Sequence, residues 1–334
     1  MSTTLSGITP SGSLTLGNYL GALRRFADAP HRDAGERRRS YFFVADLHAL
    51  TVAQPPEEVR RLSLETAALF FAAGIDPELS TVFLQSHVRA HVECAYLLES
   101  TAYVGELSRM IQFKEKGGRP KTRASLFTYP CLMAADILLY DADSVPVGGD
   151  QDQHVELARE LALRFNREYG DTFVVPTLAK AALASRIRDL GDPERKMSKS
   201  APASAPGVIR MLDDPDVVRR KISRAVTDSE AEVRYDPDRK PGVSNLLDII
   251  ATISGRDPDE VAASIASYAA LKEACIEQVN AALSPIQRRH RELMASPAEL
   301  SVLLADGAQR ARAQAEPVLA RARAAIGLVP PRAG

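Results

Sequence analysis

Three short apolar runs separated by helical stretches constrain this chain most. Residues 3–8 read as a short buried strand, Tyr41-Phe42-Phe43-Val44-Ala45 as a second and Thr81-Val82-Phe83-Leu84 as a third. Between the last two, Pro55-Pro56-Glu57-Glu58 opens a helix that runs through Leu62, Leu69 and Phe70 to a stop at Gly74. Its first-turn acids suit the positive end of the helix dipole. This alternation predicts an α/β fold built on a doubly wound, Rossmann-like parallel sheet. In such sheets ligands bind beyond the carboxyl ends of the strands. The residues just after each apolar run are therefore the ones placed to carry chemistry.

After the first run comes Thr9-Pro10-Ser11-Gly12-Ser13-Leu14-Thr15-Leu16-Gly17-Asn18-Tyr19-Leu20-Gly21-Ala22. Glycines at 7, 12, 17 and 21 with a proline between them mark a strand, a tight turn and a helix start. Such a turn lets the backbone approach a ligand closely and aims the positive end of a helix at an anion. Neither the dinucleotide pattern G-x-G-x-x-G nor a P-loop ending in Gly-Lys-Ser/Thr is present, so those two nucleotide-binding motifs lose most of their support. After the second run, Asp46-Leu47-His48 places polar groups at a strand end, where a core or loop histidine competes with a ligand contact.

Far downstream, Arg195-Lys196-Met197-Ser198-Lys199-Ser200 sits between two breakers of regular structure, Gly191-Asp192-Pro193 and Ala201-Pro202-Ala203-Ser204-Ala205-Pro206-Gly207. Lysines on a mobile loop at 191–207 suit a phosphate chain, whose charge is spread over several oxygens. A generic Lys/Ser-rich run would be a solvated linker. The string Lys-Met-Ser-Lys-Ser, however, resembles the second signature of class I aminoacyl-tRNA synthetases.

Ser6-Gly7-Ile8-Thr9-Pro10-Ser11-Gly12 with Thr15-Leu16-Gly17-Asn18-Tyr19 resembles the first signature of the bacterial tryptophanyl-tRNA synthetases. The resemblance implies that Thr9, Pro10, Ser11, Gly17 and Asn18 line an ATP site, joined by Lys196, Met197, Ser198, Lys199 and Ser200. Ile187 would pack on adenine and Lys116, in the basic loop 112–119, would reach ATP. Ser144-Val145-Pro146-Val147-Gly148-Gly149-Asp150-Gln151 resembles the family's Val-Pro-Val-Gly-x-Asp-Gln element. Gly148, Gly149 and Asp150 would contact the ATP ribose, and Gln151 would lie by the substrate amino group. Gly7, His48, Val145 and Val147 would border the amino acid. The sequence departs from the family pattern at Leu5, Thr9 and Gly149.

Tyr129 to Tyr140 reads as an apolar helix with one carboxylate, Asp136, in its middle. A buried ionised acid is costly unless paired, so Asp136 either bonds within the protein or awaits a ligand donor. Helical spacing puts Tyr129, Met133 and Asp136 on one face. An apolar wall with a single acceptor suits an indole, whose nitrogen only donates. The sister family for tyrosine resembles Tyr-x-x-x-Gln-x-x-Asp here. A phenol both donates and accepts, so it favours the second polar group that Met133 cannot supply.

The chain of 334 residues, 45% hydrophobic and 25% charged, fits one large and one small domain. Its net charge of −1 gives no global signal for nucleic acid, so any RNA contact is local. Cys94, Cys131 and Cys275 lack metal spacing and read as reduced cytoplasmic thiols, and no window suits a bilayer span. Phe173 to Pro176 reads as the last strand. Helices are expected at Val217–Val226, at Asn245–Ser254 with Ser244 as N-cap, at Tyr268–Leu283 and at Ala298–Ile326.

The expected organisation is a catalytic domain over 1–190, with the family's dimerisation insertion at about 87–140. A helical, anticodon-binding domain over 208–300 and a closing helix and tail over 301–334 complete it. Arg310, Arg312, Arg321 and Arg323 could touch tRNA phosphates or form a solvated face. The resemblance implies tryptophan activation with ATP and Mg²⁺, the metal held through the phosphates and not by protein ligands. Transfer to tRNA(Trp) would come next, in a homodimer. Lys196, Lys199 and Asn18 would stabilise the reacting phosphate. A tyrosine-specific enzyme, another adenylate-forming nucleotidyltransferase and a non-charging tryptophan sensor are the competing readings.

Overall fold

The computed structural model describes residues 3–32, 39–118, 120–142, 144–147, 152–180, 187–202 and 204–330. Strand β1 (Thr3–Ile8) enters the glycine-rich turn and continues into α1 (Leu16–Asn18), a π-helical turn (Tyr19–Leu23) and α2 (Arg24–Arg32). Then come β2 (Arg39–Val44), α3 (Asp46–Ala49), α4 (Pro56–Ala72) and β3 (Thr81–Leu84). The three strands pair in parallel in the order β1-β2-β3. Helices α5 (Ala90–Glu99), α6 (Val104–Leu107), α7 (Ile111–Lys116) and α8 (Ser125–Leu138) lead to β4 (Ser144–Val147), α9 (Asp152–Tyr169) and β5 (Thr177–Lys180). β4 pairs in parallel with β5 and lies beside β1. Strand order therefore reverses at β1, the switch point where doubly wound sheets bind ligands.

Alternate residues of the strands feed two cores. Phe42, Val44, Val82 and Leu84 face one with Leu69, Phe70 and much of the C-terminal half, while Tyr41, Phe43 and Phe83 face the other with α5, α8 and α9. Both faces of the sheet are thus covered, as the continuous apolar strands require.

The C-terminal half contains α10 (Pro215–Ser223), α11 (Pro241–Ser254), α12 (Pro258–Ala263), α13 (Tyr268–Ala295) and α14 (Pro297–Ala325). Two of these outrun the sequence expectation. Helix α11 starts at Pro241, a residue whose missing N–H costs nothing in a first turn, and Ser244 lies inside it with its hydroxyl accepting from Asp236 N–H at 2.9 Å. Helix α13 passes Pro285 and ends at Ala295, because Val279, Leu283, Ile286, His290 and Leu293 keep a buried stripe that outweighs one lost backbone bond.

Two further expectations are corrected. Phe173 to Pro176 is not a strand. The Asn166 side chain accepts from Thr172 and Phe173 N–H and donates to Phe173 C=O, taking the bonds a neighbouring strand would have made, and the ladder begins at Thr177. The basic stretch 112–119 is not all loop, since α7 carries it to Lys116 before Gly117 and Gly118 break the helix.

Helix α14 joins the two halves. Leu300 and Leu304 belong to the first core, whereas Ala308, Ala311, Ala315, Val318, Leu319 and Ala322 belong to the second. At the crossing, Gly307 lies so close to β3 that a Cβ there would stand 1.7 Å from the Val82 carbonyl oxygen. Two of the four arginines offered to tRNA are spent here: Arg321 bonds Asp141 and the Thr172 carbonyl, and Arg323 pairs with Glu93 at 2.7 Å.

Candidate active site

The turn after β1 is shaped by Thr15 and Asn18. Thr15 is fully buried and caps α1 from its side chain, while Asn18 Oδ1 accepts from Thr15 N–H at 3.0 Å and from its hydroxyl at 3.1 Å. This reciprocal cap orients the helix start, with Gly17 between its two members.

The lysine loop packs on this turn. Lys199 Nζ donates to the Thr9 carbonyl oxygen at 2.6 Å. A Cβ on Gly12 would come within 2.6 Å of the Lys199 carbonyl oxygen. At Gly17 it would meet Met197 and Ile187 at ordinary contact distance, and both of those side chains are buried. Arg210 staples the far end, donating to Ser13, Ala201 and Pro202 carbonyls. Leu16 N–H to Ile209 and Met211 N–H to Leu14, both 2.9 Å, stitch the two segments further. The described part of the loop thus lies against the glycine turn.

Burial, with the charge of Lys196 adding to it, lowers Lys199 to about 8. Its ammonium spends one of three donors on Thr9, so the others can meet an anion. Lys196, Ser198 and Ser200 are exposed beside it.

The carboxyl ends of β2 and β3 supply a second cluster, built around Asp136 on α8. Asp136 is buried, and its Oδ1 accepts from Gln85 Nε2 at 2.7 Å and meets His91 Nδ1 at 2.6 Å. Its Oδ2 meets His48 Nε2 at 2.8 Å. Burial opposes its ionisation, but the bonds from His48 and His91 outweigh that and hold the carboxyl below its usual range. Behind it, His91 Nε2 meets the Tyr140 hydroxyl at 2.8 Å, and Gln85 Oε1 accepts from Leu47 N–H at 3.2 Å. Each carboxylate oxygen has two acceptor sites, so Oδ1 is filled and Oδ2 keeps one.

Tyr129 stands over His48 with ring centroids 6.1 Å apart, and its hydroxyl bonds His154. Met133 is half-buried on the same helix. Gly7, at the end of β1, lies under Phe43, whose ring a Cβ would meet at 2.6 Å.

The structure therefore brings Thr9, Gly17, Asn18, Ile187, Met197 and Lys199 together, and separately Tyr129, His48 and Asp136, at one edge of the sheet. Pro10 is buried and Ser11 exposed in the same turn. Gly148, Gly149, Asp150 and Gln151 lie outside the described residues, as do the side chains of Lys116, Val145 and Val147. Gln85, His91 and Tyr140 escaped the sequence reading. Gln85 could have been found, because it follows β3 as Asp46 follows β2; His91 is hidden inside an apolar helical run.

The family model for class I tRNA synthetases (W and Y) matches residues 1–284. A tryptophan–tRNA ligase of Streptomyces coelicolor is 51% identical over 99% of this chain and 98% of its own length. That of Mycobacterium leprae is 49% identical over 98% and 96%. The chain belongs to the class I tryptophanyl-tRNA synthetases. As a tryptophan–tRNA ligase it shares its fold with solved synthetases. The Mycoplasma pneumoniae structure superimposes with a TM-score of 0.88 at 35% identity, over 98% of each chain. The Campylobacter jejuni structure, complexed with ADP and tryptophan, gives 0.82 at 33% identity, over 98% of this chain and 100% of that one.

Proposed function

We propose that this chain activates L-tryptophan with ATP at the edge formed by the glycine turn, the lysine loop and α8, and then transfers the aminoacyl group to tRNA(Trp). The observation that supports the reading is the bond from Lys199 to the Thr9 carbonyl oxygen, which brings a cation to the glycine turn ahead of α1. The substrate carboxylate attacks the α-phosphorus of ATP and pyrophosphate leaves. A carboxylate is already ionised, so no protein base is needed. The chain positions the reactants and stabilises charge through Gly17, Asn18, Lys196 and Lys199.

Thr9, Pro10, Ser11, Met197, Ser198 and Ser200 would border the nucleotide with Ile187, Lys116, Gly148, Gly149 and Asp150. Mg²⁺ would arrive on the ATP phosphates. The remaining acceptor site of Asp136 Oδ2 would take the indole N–H, beside Gly7, His48, Tyr129, Met133, Val145, Val147 and Gln151. Residues 208–300 would hold the anticodon stem.

A homodimer is supported by an exposed apolar patch on and beside α5 and α6: Val92, Tyr96, Tyr103 and Val104 are 55–72% exposed. The free buried thiols of Cys94, Cys131 and Cys275 fit the cytoplasm. Pyrophosphate exchange with tryptophan and tyrosine side by side tests the proposal. Exchange driven by tryptophan alone supports it, and exchange indifferent to tryptophan overturns it.

A further inference from the structure

Lys196 stands on one arm of a short hairpin. Asp189 N–H donates to Arg195 C=O at 2.9 Å and Met197 N–H to Ile187 C=O at 3.1 Å, with Arg188 and Lys196 facing each other between these bonds. Antiparallel pairing alternates, so at Arg188 the backbone N–H and C=O point away from the lysine arm. Both are met by one side chain. Asn245 Oδ1 accepts from Arg188 N–H at 2.8 Å, and Asn245 Nδ2 donates to Arg188 C=O at 3.1 Å. The amide acts as a third strand one residue long.

Asn245 is 2% exposed, in α11 of the C-terminal half. The other end of α11 is held to the catalytic half, where Arg24 Nη1 donates to Thr252 C=O at 2.5 Å and to Ile253 C=O at 3.1 Å. The helix is therefore a strut between α2 and the lysine hairpin. Met197 and Ile187, which pack toward Gly17, are neighbours of the two residues the strut fixes.

We infer that Asn245 is a positioning residue for adenylate formation: its amide fixes the Arg188–Lys196 hairpin and so places Lys196 at the phosphates, without itself touching a substrate. This rests on the role proposed above for Lys196. An amide is the fitting side chain, because the site requires an acceptor and a donor side by side. Asn245→Asp keeps the shape and the acceptor but sets an oxygen against the Arg188 carbonyl oxygen.

The test compares Asn245→Asp, Lys196→Ala and the double variant in pyrophosphate exchange, with tryptophan affinity and thermal unfolding measured alongside. The chain contains no tryptophan, so with excitation beyond the absorption of its nine tyrosines the change in the amino acid's own fluorescence on binding reports affinity. Lys196→Ala is expected to lower the turnover number on the order of 10²–10³-fold. Asn245→Asp should lower it about 10–100-fold, as a misplaced catalytic group does, with tryptophan affinity changed by less than about twofold. The double variant should be no worse than Lys196→Ala, since two residues acting through one group do not add.

Multiplicative losses, or an equal fall in tryptophan affinity, overturn the inference. If Lys196→Ala leaves exchange intact, the reading of the lysine loop fails first; if only Asn245→Asp is silent, the inference fails alone. Should the aspartate variant not fold, Asn245→Ser carries the same comparison.

Discussion

The amine of Lys199 donates to the carbonyl oxygen of Thr9 at 2.6 Å, across 190 positions of sequence. Burial and the neighbouring Lys196 bring this amine to about 8. A proton is lost as pH rises through that value, and the uncharged amine no longer attracts phosphate. The kcat/KM for ATP is therefore expected to fall above pH about 8, while tryptophan affinity stays level. Lys199→Arg, which cannot deprotonate in this range, should move the fall to higher pH. An unchanged alkaline limb in that variant would exclude Lys199 as its source.

Gly12 has no room for a methyl group, because the Lys199 carbonyl oxygen would lie 2.6 Å from it. Gly12→Ala is expected to lift the lysine loop and lower pyrophosphate exchange about 10–100-fold, by displacement of the cation. The contact lies at the surface of the cores, so the unfolding temperature should hardly move. A large fall in Tm with normal exchange in the folded fraction would contradict this.

Asp136 has a filled Oδ1 and one acceptor site left on Oδ2. Asp136→Asn turns one acceptor into a donor and leaves a buried donor of His91, Gln85 or His48 facing another. Tryptophan affinity is expected to fall by about 1–3 kcal/mol. A benzothienyl analogue, isosteric with tryptophan but lacking the N–H, should lose much less. Equal losses for both ligands would falsify a direct bond to the indole nitrogen.

His290 is buried in α13, lowered from its ordinary pKa chiefly by burial, with Glu65 of α4 raising it and Arg291 lowering it. The unfolded chain takes up a proton near the ordinary value of about 6.5, whereas the folded chain resists it. Stability is thus present above that pH and lost as pH falls below it. Unfolding temperature followed from neutral to mildly acid pH should show this slope in the native protein and a shallower one in His290→Leu. Parallel curves would assign the acid sensitivity elsewhere.

Gly307 crosses β3 with a Cβ position 1.7 Å from the Val82 carbonyl oxygen. Gly307→Ala must push the helix from the strand, at a cost of about 1–3 kcal/mol. Denaturant unfolding measures it, and a neutral result would mean that the helix can shift from the strand without loss.

Where a strand or helix was dictated by local chemistry, the sequence disclosed it. The runs at 41–45 and 81–84, the breaks around Gly12 and Gly74 and the lysine string all carry their physics in adjacent residues. What stayed hidden was set by partners distant in the chain. Asn166 replaced a strand ladder by a side-chain amide, and the stripe through Leu283 and Leu293 overrode Pro285. Asp136 announced itself as a costly acid, but its partners His48, Gln85 and His91 come from α3, β3's exit and α5, and no spacing rule links them to α8. The closure of residues 195–200 on the glycine turn depends on Arg210, whose three carbonyl partners lie in two other segments.

Helix α14 supplies small alanines to the catalytic half from the far end of the chain. On a ribosome, where the amino end emerges first, the sheet carrying the glycine turn must wait for its flank until α14 has been made. A nascent chain stopped before residue 297 would expose the bare side of β3 and should be caught by proteases and chaperones that pass over the finished molecule. Synthesis of α14 is in this sense the step that seals the core beside β3, since no earlier helix supplies those alanines.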